Sequence, residues 1–350
     1  MLTEYALTPH LFDDEHNAGD PEWLTRLRAF GDRLLPTGAD RVFNTIVSDL
    51  FGASWFRGEF APLVENLERR QEADRQTRLP ALDLLKALRP RIKRHLVRRP
   101  ACNSDDYPMD EGGWAAEAVA SSERSGLPIH RIVASSCFEP DGELAGKLKL
   151  LGNAQDESFW DCVPPTQWPR ADLAEQCATI GRMCTFYTFL SFVSPHLDVQ
   201  GSTDLRFAVE LVRTAHNRPT GFAPPARIHL HTKGPSEEHL RKSLVERVLA
   251  RLDSDLGDLA RIVRLFLWPS LLERHLLVGH AQGDSKPAVV WAVSLTHVVR
   301  PDLDGPDQDP ATFAILPANR TSKLASRYYS NPSTDPYAGS PFQVSPGGAV

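Results

Sequence analysis

Between residues 172 and 330 the apolar positions switch repeatedly between a helical and an extended period. A helix is predicted over 172–184, leading into the extended run "FYTFLSFVS" (186–194). "STDLRFAVELVRTAHN" (202–217) reads as a helix with Ser and Thr at its start, and "ARIHLHT" (226–232) as a strand. "SEEHLRKSLVERVLARLD" (236–253) places Leu240, Leu244, Val248 and Leu249 on one helical stripe. Four strand-like runs follow at 261–268, 274–279, 288–295 and 311–317, then a helix over "SKLASRYYS" (322–330). Alternating strands and helices followed by hairpins predict an α/β sandwich with a mixed sheet.

The first half has a different pattern. "DPEWLTRLRAFGDRLL" (20–35) opens on Asp-Pro, suited to a helix start, with Trp23, Leu24, Leu27 and Phe30 at helical spacing. Further helices are predicted over 60–76 and 80–99, the second interrupted at Pro90, and a short one over 112–126. One strand is predicted at 128–137. The expected organisation is therefore a mainly helical N-terminal domain over 1–165, an α/β domain over 172–330 and a flexible tail over 331–350. The proline-rich segment 162–172 marks the boundary, and the tail is rich in Pro, Gly and Ser. A length of 350 residues fits two domains.

Composition narrows the function classes. The net charge of −6 offers no overall attraction to nucleic acid or to an anionic membrane, so any such binding must come from a local patch. The five cysteines are scattered, odd in number and without a C-x-x-C, which fits a reducing, cytoplasmic setting and argues against a zinc knuckle. The N-terminal stretch has neither a basic nor an apolar signal region, and the longest apolar run is too short to span a bilayer. No membrane association and no cofactor are expected. There is no P-loop, no G-x-G-x-x-G and no G-x-S-x-G.

Three stretches carry candidate chemistry. "KALRPRIKRHLVRRP" (86–100) holds Lys86, Arg89, Arg91, Lys93, Arg94, Arg98 and Arg99 with no acid among them. On a helix, 86, 89 and 93 share a face beside 91, 94 and 98, a stripe able to neutralise several phosphates of DNA or RNA. The bland alternative is a solvated helix face or one that pairs with nearby acids. His229 and His231 alternate on one strand, a pairing that can ligate zinc, but nothing fixes a third ligand and no metal is assigned. The loop 300–310 has four Asp, but its glycine falls too early for a calcium loop.

The third stretch is His231-Thr232-Lys233 with Glu238 after four residues, an H-x-K-x4-E pattern one carboxylate away from H-x-K-x4-D. With "FVSPHLD" (192–198) at a strand end and "LERHLLVG" (272–279) on a later strand, this succession resembles the phospholipase-D-like superfamily over roughly 185–330. In particular it resembles the compact, single-site relatives in bacterial phage-defence operons, and it also looks like the related C-terminal domain of microtubule-interacting-and-trafficking proteins. The opening "LTEYALTP" also looks like the start of some such defence proteins.

The resemblance implies a phospholipase-D-like sandwich acting on phosphodiesters. It also implies an antiviral setting with partner subunits. The chain departs from the family where the chemistry sits. Leu272-Glu273-Arg274 stands in place of His-Asp-Arg, Ser194 and His196 replace the Asp and Tyr of the Asp-Pro-Tyr turn, and His275 holds an aromatic position. The expectation is a non-catalytic subunit that binds nucleic acid or assembles with others. The alternative is an active metal-independent nuclease. There His231 would be the nucleophile, Lys233 and Arg274 the phosphate clamps, and Glu238 or Glu273 the orienting carboxylate. The competing structural reading of 228–240 is a strand end followed by a helix whose acidic first turn suits the helix dipole.

Overall fold

The computed structural model describes residues 3–35, 45–50, 60–74, 79–100, 110–160, 167–168, 173–197, 203–219, 221–271, 273–281, 287–296, 311–329 and 342–343, and all statements concern these. The first half contains β1 (Thr3–Leu7), α1 (Trp23–Leu34), β2 (Thr45–Asp49), α2 (Phe60–Ala73), α3 (Pro80–His95) and β3 (Leu96–Arg98). It continues through α4 (Glu111–Ser125), β4 (Arg131–Ala134), α5 (Gly142–Ala145), β5 (Leu148–Leu150) and α6 (Glu157–Trp160).

Helical residues outnumber strand residues in the first half, but the expectation of a single strand in this N-terminal domain is corrected. Its five strands form one all-parallel sheet in the order β3-β2-β1-β4-β5. Strands of such a sheet are covered on both faces and do not alternate, and every residue of β1 is buried. Tyr5, Leu7, Val47 and Val133 face the core shared with α1, α2 and α3. Ala6, Ile132 and Leu148 face Ala115 and Ala118 of α4. The predicted helix 80–99 ends at His95 and turns into β3, while Pro90 is accommodated within α3.

The second half contains β6 (Gln167–Trp168), α7 (Leu173–Cys184), β7 (Phe189–Val193), α8 (Thr203–His216), β8 (Arg227–Lys233), α9 (Glu238–Leu256) and β9 (Val263–Trp268). Then come β10 (Arg274–His280), β11 (Ala288–Leu295), β12 (Ala311–Ile315), α10 (Ala318–Tyr329) and β13 (Phe342–Gln343). The mixed sheet runs β13-β9-β8-β7-β10-β11-β12-β6. β7, β8 and β9 are mutually parallel, joined through α8 and α9, and β10, β11 and β12 follow as an antiparallel meander. The α/β class with a mixed sheet is thus present. Of the expected tail, Phe342 and Gln343 pair with β9, and the rest of 331–350 lies outside the described residues.

Helices α7, α8 and α9 cover one face of this sheet through Ile180, Phe207, Leu211, Val248 and Leu252. Helix α10 lies on the other, where Tyr328 packs with Val193, Trp268 and Leu277. Leu240 is exposed and does not join the buried stripe of α9. Ile46 and Val97 of the first sheet pack into the core of the second half, so the two sheets meet through apolar side chains.

Candidate functional site

Strand β8 is buried from Arg227 to Thr232 and emerges at Lys233. His231 is fully buried on it. The indole N–H of Trp268 donates to His231 Nδ1 at 2.9 Å. An indole is a donor only, so Nδ1 is the acceptor and the neutral ring carries its proton on Nε2. Nε2 then donates to the Tyr329 hydroxyl oxygen at 3.1 Å. Phe266 stacks on the ring at 4.7 Å and 8° between planes. Burial drives this imidazole well below its ordinary pKa, with His229 adding to the effect. Both nitrogens are engaged within an aromatic core, which leaves no lone pair for a phosphorus atom.

The other residues of the expected phosphodiesterase centre lie apart from it. Pairing in the sheet aligns His275 with Val193 and Val193 with His231. These three therefore point to the face covered by α10, and Arg274, one residue before His275, points to the opposite face. There its Nε donates to Asp204 Oδ2 at 2.8 Å, with Asp204 in the first turn of α8. Ser194 Oγ also donates to Asp204 Oδ2, and Thr232 Oγ1 accepts from the Leu197 N–H at 3.2 Å.

Lys233 is exposed at the strand end, and Glu238 is exposed beside Lys242 at 3.4 Å in the first turn of α9. Glu273 is exposed and accepts from His275 Nε2 at 3.0 Å, while Leu272 lies outside the described residues. His231, Lys233, Glu238 and Arg274 therefore do not form one cleft. Asp204, Trp268 and Tyr329, the partners that decide these roles, were not singled out by the sequence reading. An acid in a first helical turn was the only local signal for any of them.

His229 lies on the same face as His231, 4% exposed, and neither ring nitrogen has a hydrogen-bond partner among the described residues. Phe189, Phe266 and Tyr329 surround the ring at 4.8 to 5.7 Å. Burial, with Arg264 and Arg227 nearby, lowers its pKa to about 3. Among the described residues no group of three or more His, Cys, Asp or Glu is placed to hold a metal. The acidic loop 300–310 lies outside them.

The basic run divides into two kinds of residue. Lys86, Arg89, Lys93 and Arg94 are exposed on α3, and Arg98 is exposed on β3. Lys86 pairs with Glu68 at 2.8 Å. Arg91 and Arg99, expected to face nucleic acid, do structural work instead. Arg91 reaches Asp32 at 3.1 Å and donates to the carbonyls of Gly31 and Leu35. Arg99 is buried and bidentate on Glu4 at 2.6 and 2.7 Å, with further bonds to Ser125 Oγ and to the carbonyls of Ser121 and Leu127. A guanidinium buried this deeply needs such a complete set of acceptors.

No protein-family model matches the chain, and no curated protein matches it. Among the described residues no helix is long and apolar enough to cross a membrane.

Proposed function

We propose that the chain is a non-catalytic binding or assembly subunit built on a degenerate phospholipase-D-like α/β domain, and that the exposed cations of α3 and β3 take a nucleic-acid backbone. The observation that carries the first part is the engagement of both His231 nitrogens, one by Trp268 and one by Tyr329. The second part rests on Lys86, Arg89, Lys93 and Arg94, which share the solvent side of one helix, with Arg98 just beyond it. At about 1.5 Å per residue, positions 86 to 94 span about 12 Å, enough to follow a few phosphates. The antiviral setting and the companion subunits follow from the resemblance alone.

The test is binding and cleavage of labelled single- and double-stranded DNA and RNA across a salt series, with and without EDTA. Binding without cleavage is expected. The triple variant Lys93→Ala, Arg94→Ala, Arg98→Ala should flatten the slope of log K against log salt by about 2 to 3. Arg99 is left intact, because its removal would test folding instead. EDTA-resistant cleavage abolished by His231→Ala, in a variant shown to be folded, would restore the enzyme. Absence of any salt-sensitive binding would remove nucleic acid and leave assembly alone.

A further inference from the structure

The parallel sheet of the first half reverses its strand order at β1, which pairs with β2 on one side and β4 on the other. Helices α1 and α4 lie on opposite faces, so the carboxyl ends of β1 and β4 lie at the position where sheets of this kind receive ligands. A polar cluster occupies that edge. Glu111, at the start of α4, is buried and accepts from Thr8 Oγ1 at 2.6 Å, and from the Ser135 N–H and Ser135 Oγ at 2.7 Å each. His16 Nε2 lies 3.0 Å from Glu111 Oε2 and 3.2 Å from Ser135 Oγ.

Glu111 is thus saturated by protein donors and positions His16. A carboxylate on Nε2 holds that nitrogen protonated, which leaves the Nδ1 lone pair of the neutral ring as an acceptor. The His16 side chain keeps 32% of its surface in contact with solvent. His10 packs edge-on against it with ring centroids 5.0 Å apart, and His10 Nδ1 has no hydrogen-bond partner among the described residues. Asn17 fixes the loop, donating to the carbonyls of His10 and Asp13 at 2.8 and 2.7 Å.

The charge of this edge selects the ligand. A phosphate site at this place uses a glycine-rich turn after the first strand. Here the connection carries Pro9, Asp13, Asp14, Glu15, Asp20 and Glu22, and no Lys or Arg before α1. The nearby Arg70 and Arg26 are held by Asp14 and by Asp20 with Glu22. A phosphorylated ligand would be repelled, whereas hydroxyl donors suit a fixed imidazole acceptor and a heterocycle suits the flat His10 ring. We propose that the edge between β1 and β4 is a second binding site, where His16, positioned by Glu111, accepts from a hydroxyl of an uncharged nucleoside-type molecule.

The test follows the histidine ring signals of the full chain by NMR during titration with adenosine, AMP and zinc ion in separate arms. Adenosine is expected to shift His16 and His10 saturably. His16→Lys keeps an N–H donor for Glu111 but has no acceptor, and should weaken adenosine binding at least tenfold. Arg247→Ala, distant on α9, should bind as wild type. In Glu111→Gln the nitrogen-15 pattern of His16 should lose its single tautomer, which a merely structural glutamate would not cause. No response to adenosine overturns the proposal, as does tighter binding of AMP than of adenosine. A response to zinc alone overturns it in favour of a two-histidine metal site.

Discussion

Both sheets bury polar side chains, by opposite chemistry. In the first, a charged pair lies inside, and Arg99 with Glu4 engages Ser48, Ser121, Ser125 and Leu127. In the second, the layer beneath α10 holds imidazoles that burial keeps uncharged: His229, His231 and His275. His231 has both its partners, whereas His229 has none and His275 Nδ1 has none among the described residues. A buried charge is tolerable only with a full set of ligands, while a buried neutral imidazole is tolerable only while it stays neutral. The first arrangement should be sensitive to mutation and the second to acid.

The largest expected effect comes from breaking the charged pair. Arg99→Ala leaves Glu4 buried and unpaired, and should cost about 3 to 5 kcal/mol in chemical denaturation. Arg94→Ala, on the exposed face of α3, should stay within about 0.5 kcal/mol. Equal effects at the two positions would show that Arg99 is no more deeply engaged in the fold than the exposed cations of the run.

Acid should separate the two layers next. Above about pH 6.5 the His229 ring is neutral both folded and unfolded, and contributes no pH dependence. Below that the unfolded chain takes up a proton, whereas the folded ring resists until about pH 3. Stability is therefore lost as pH falls through this window, by an amount on the order of a few kcal/mol. His229→Phe removes the titrating group and its unpaired nitrogens, and fits the aromatic surroundings of Phe189, Phe266 and Tyr329. Urea midpoints measured from pH 7.5 to 4 should fall more steeply for wild type than for the variant. At neutral pH the variant should be more stable by about 1 to 2 kcal/mol. Parallel pH profiles would show that His229 is not the acid-sensitive group.

The same contrast explains what the sequence disclosed. The second half was legible because β7, β8 and β9 are separated by the long helices α8 and α9, and the expected strand 226–232 appears as Arg227–Lys233. In the first half, β1 reads "TEYAL", five residues buried without alternation and carrying an acid. Glu4 is admitted to that strand only because Arg99 ligates it from 95 positions downstream. The H-x-K pattern was equally legible and misleading for the same reason. Trp268 and Tyr329, which occupy the His231 nitrogens, stand 37 and 98 positions away. Local pattern carries periodicity and capping, but the partner that turns a histidine into a core residue is supplied by the fold.

The smallest expected effects belong to the remaining members of that pattern. Lys233 is exposed where β8 leaves the core. Glu238 adds a solvated pair with Lys242 and a favourable charge in the first turn of α9, together worth about 0.5 kcal/mol. Lys233→Ala and Glu238→Ala should therefore shift the urea midpoint little and leave nucleic-acid binding unchanged, because neither lies on α3 or β3. If Lys233→Ala alone weakened that binding and flattened its salt slope, the polyanion would have to lie across the open end of β8. The α3 cations would then be only a solvated helix face.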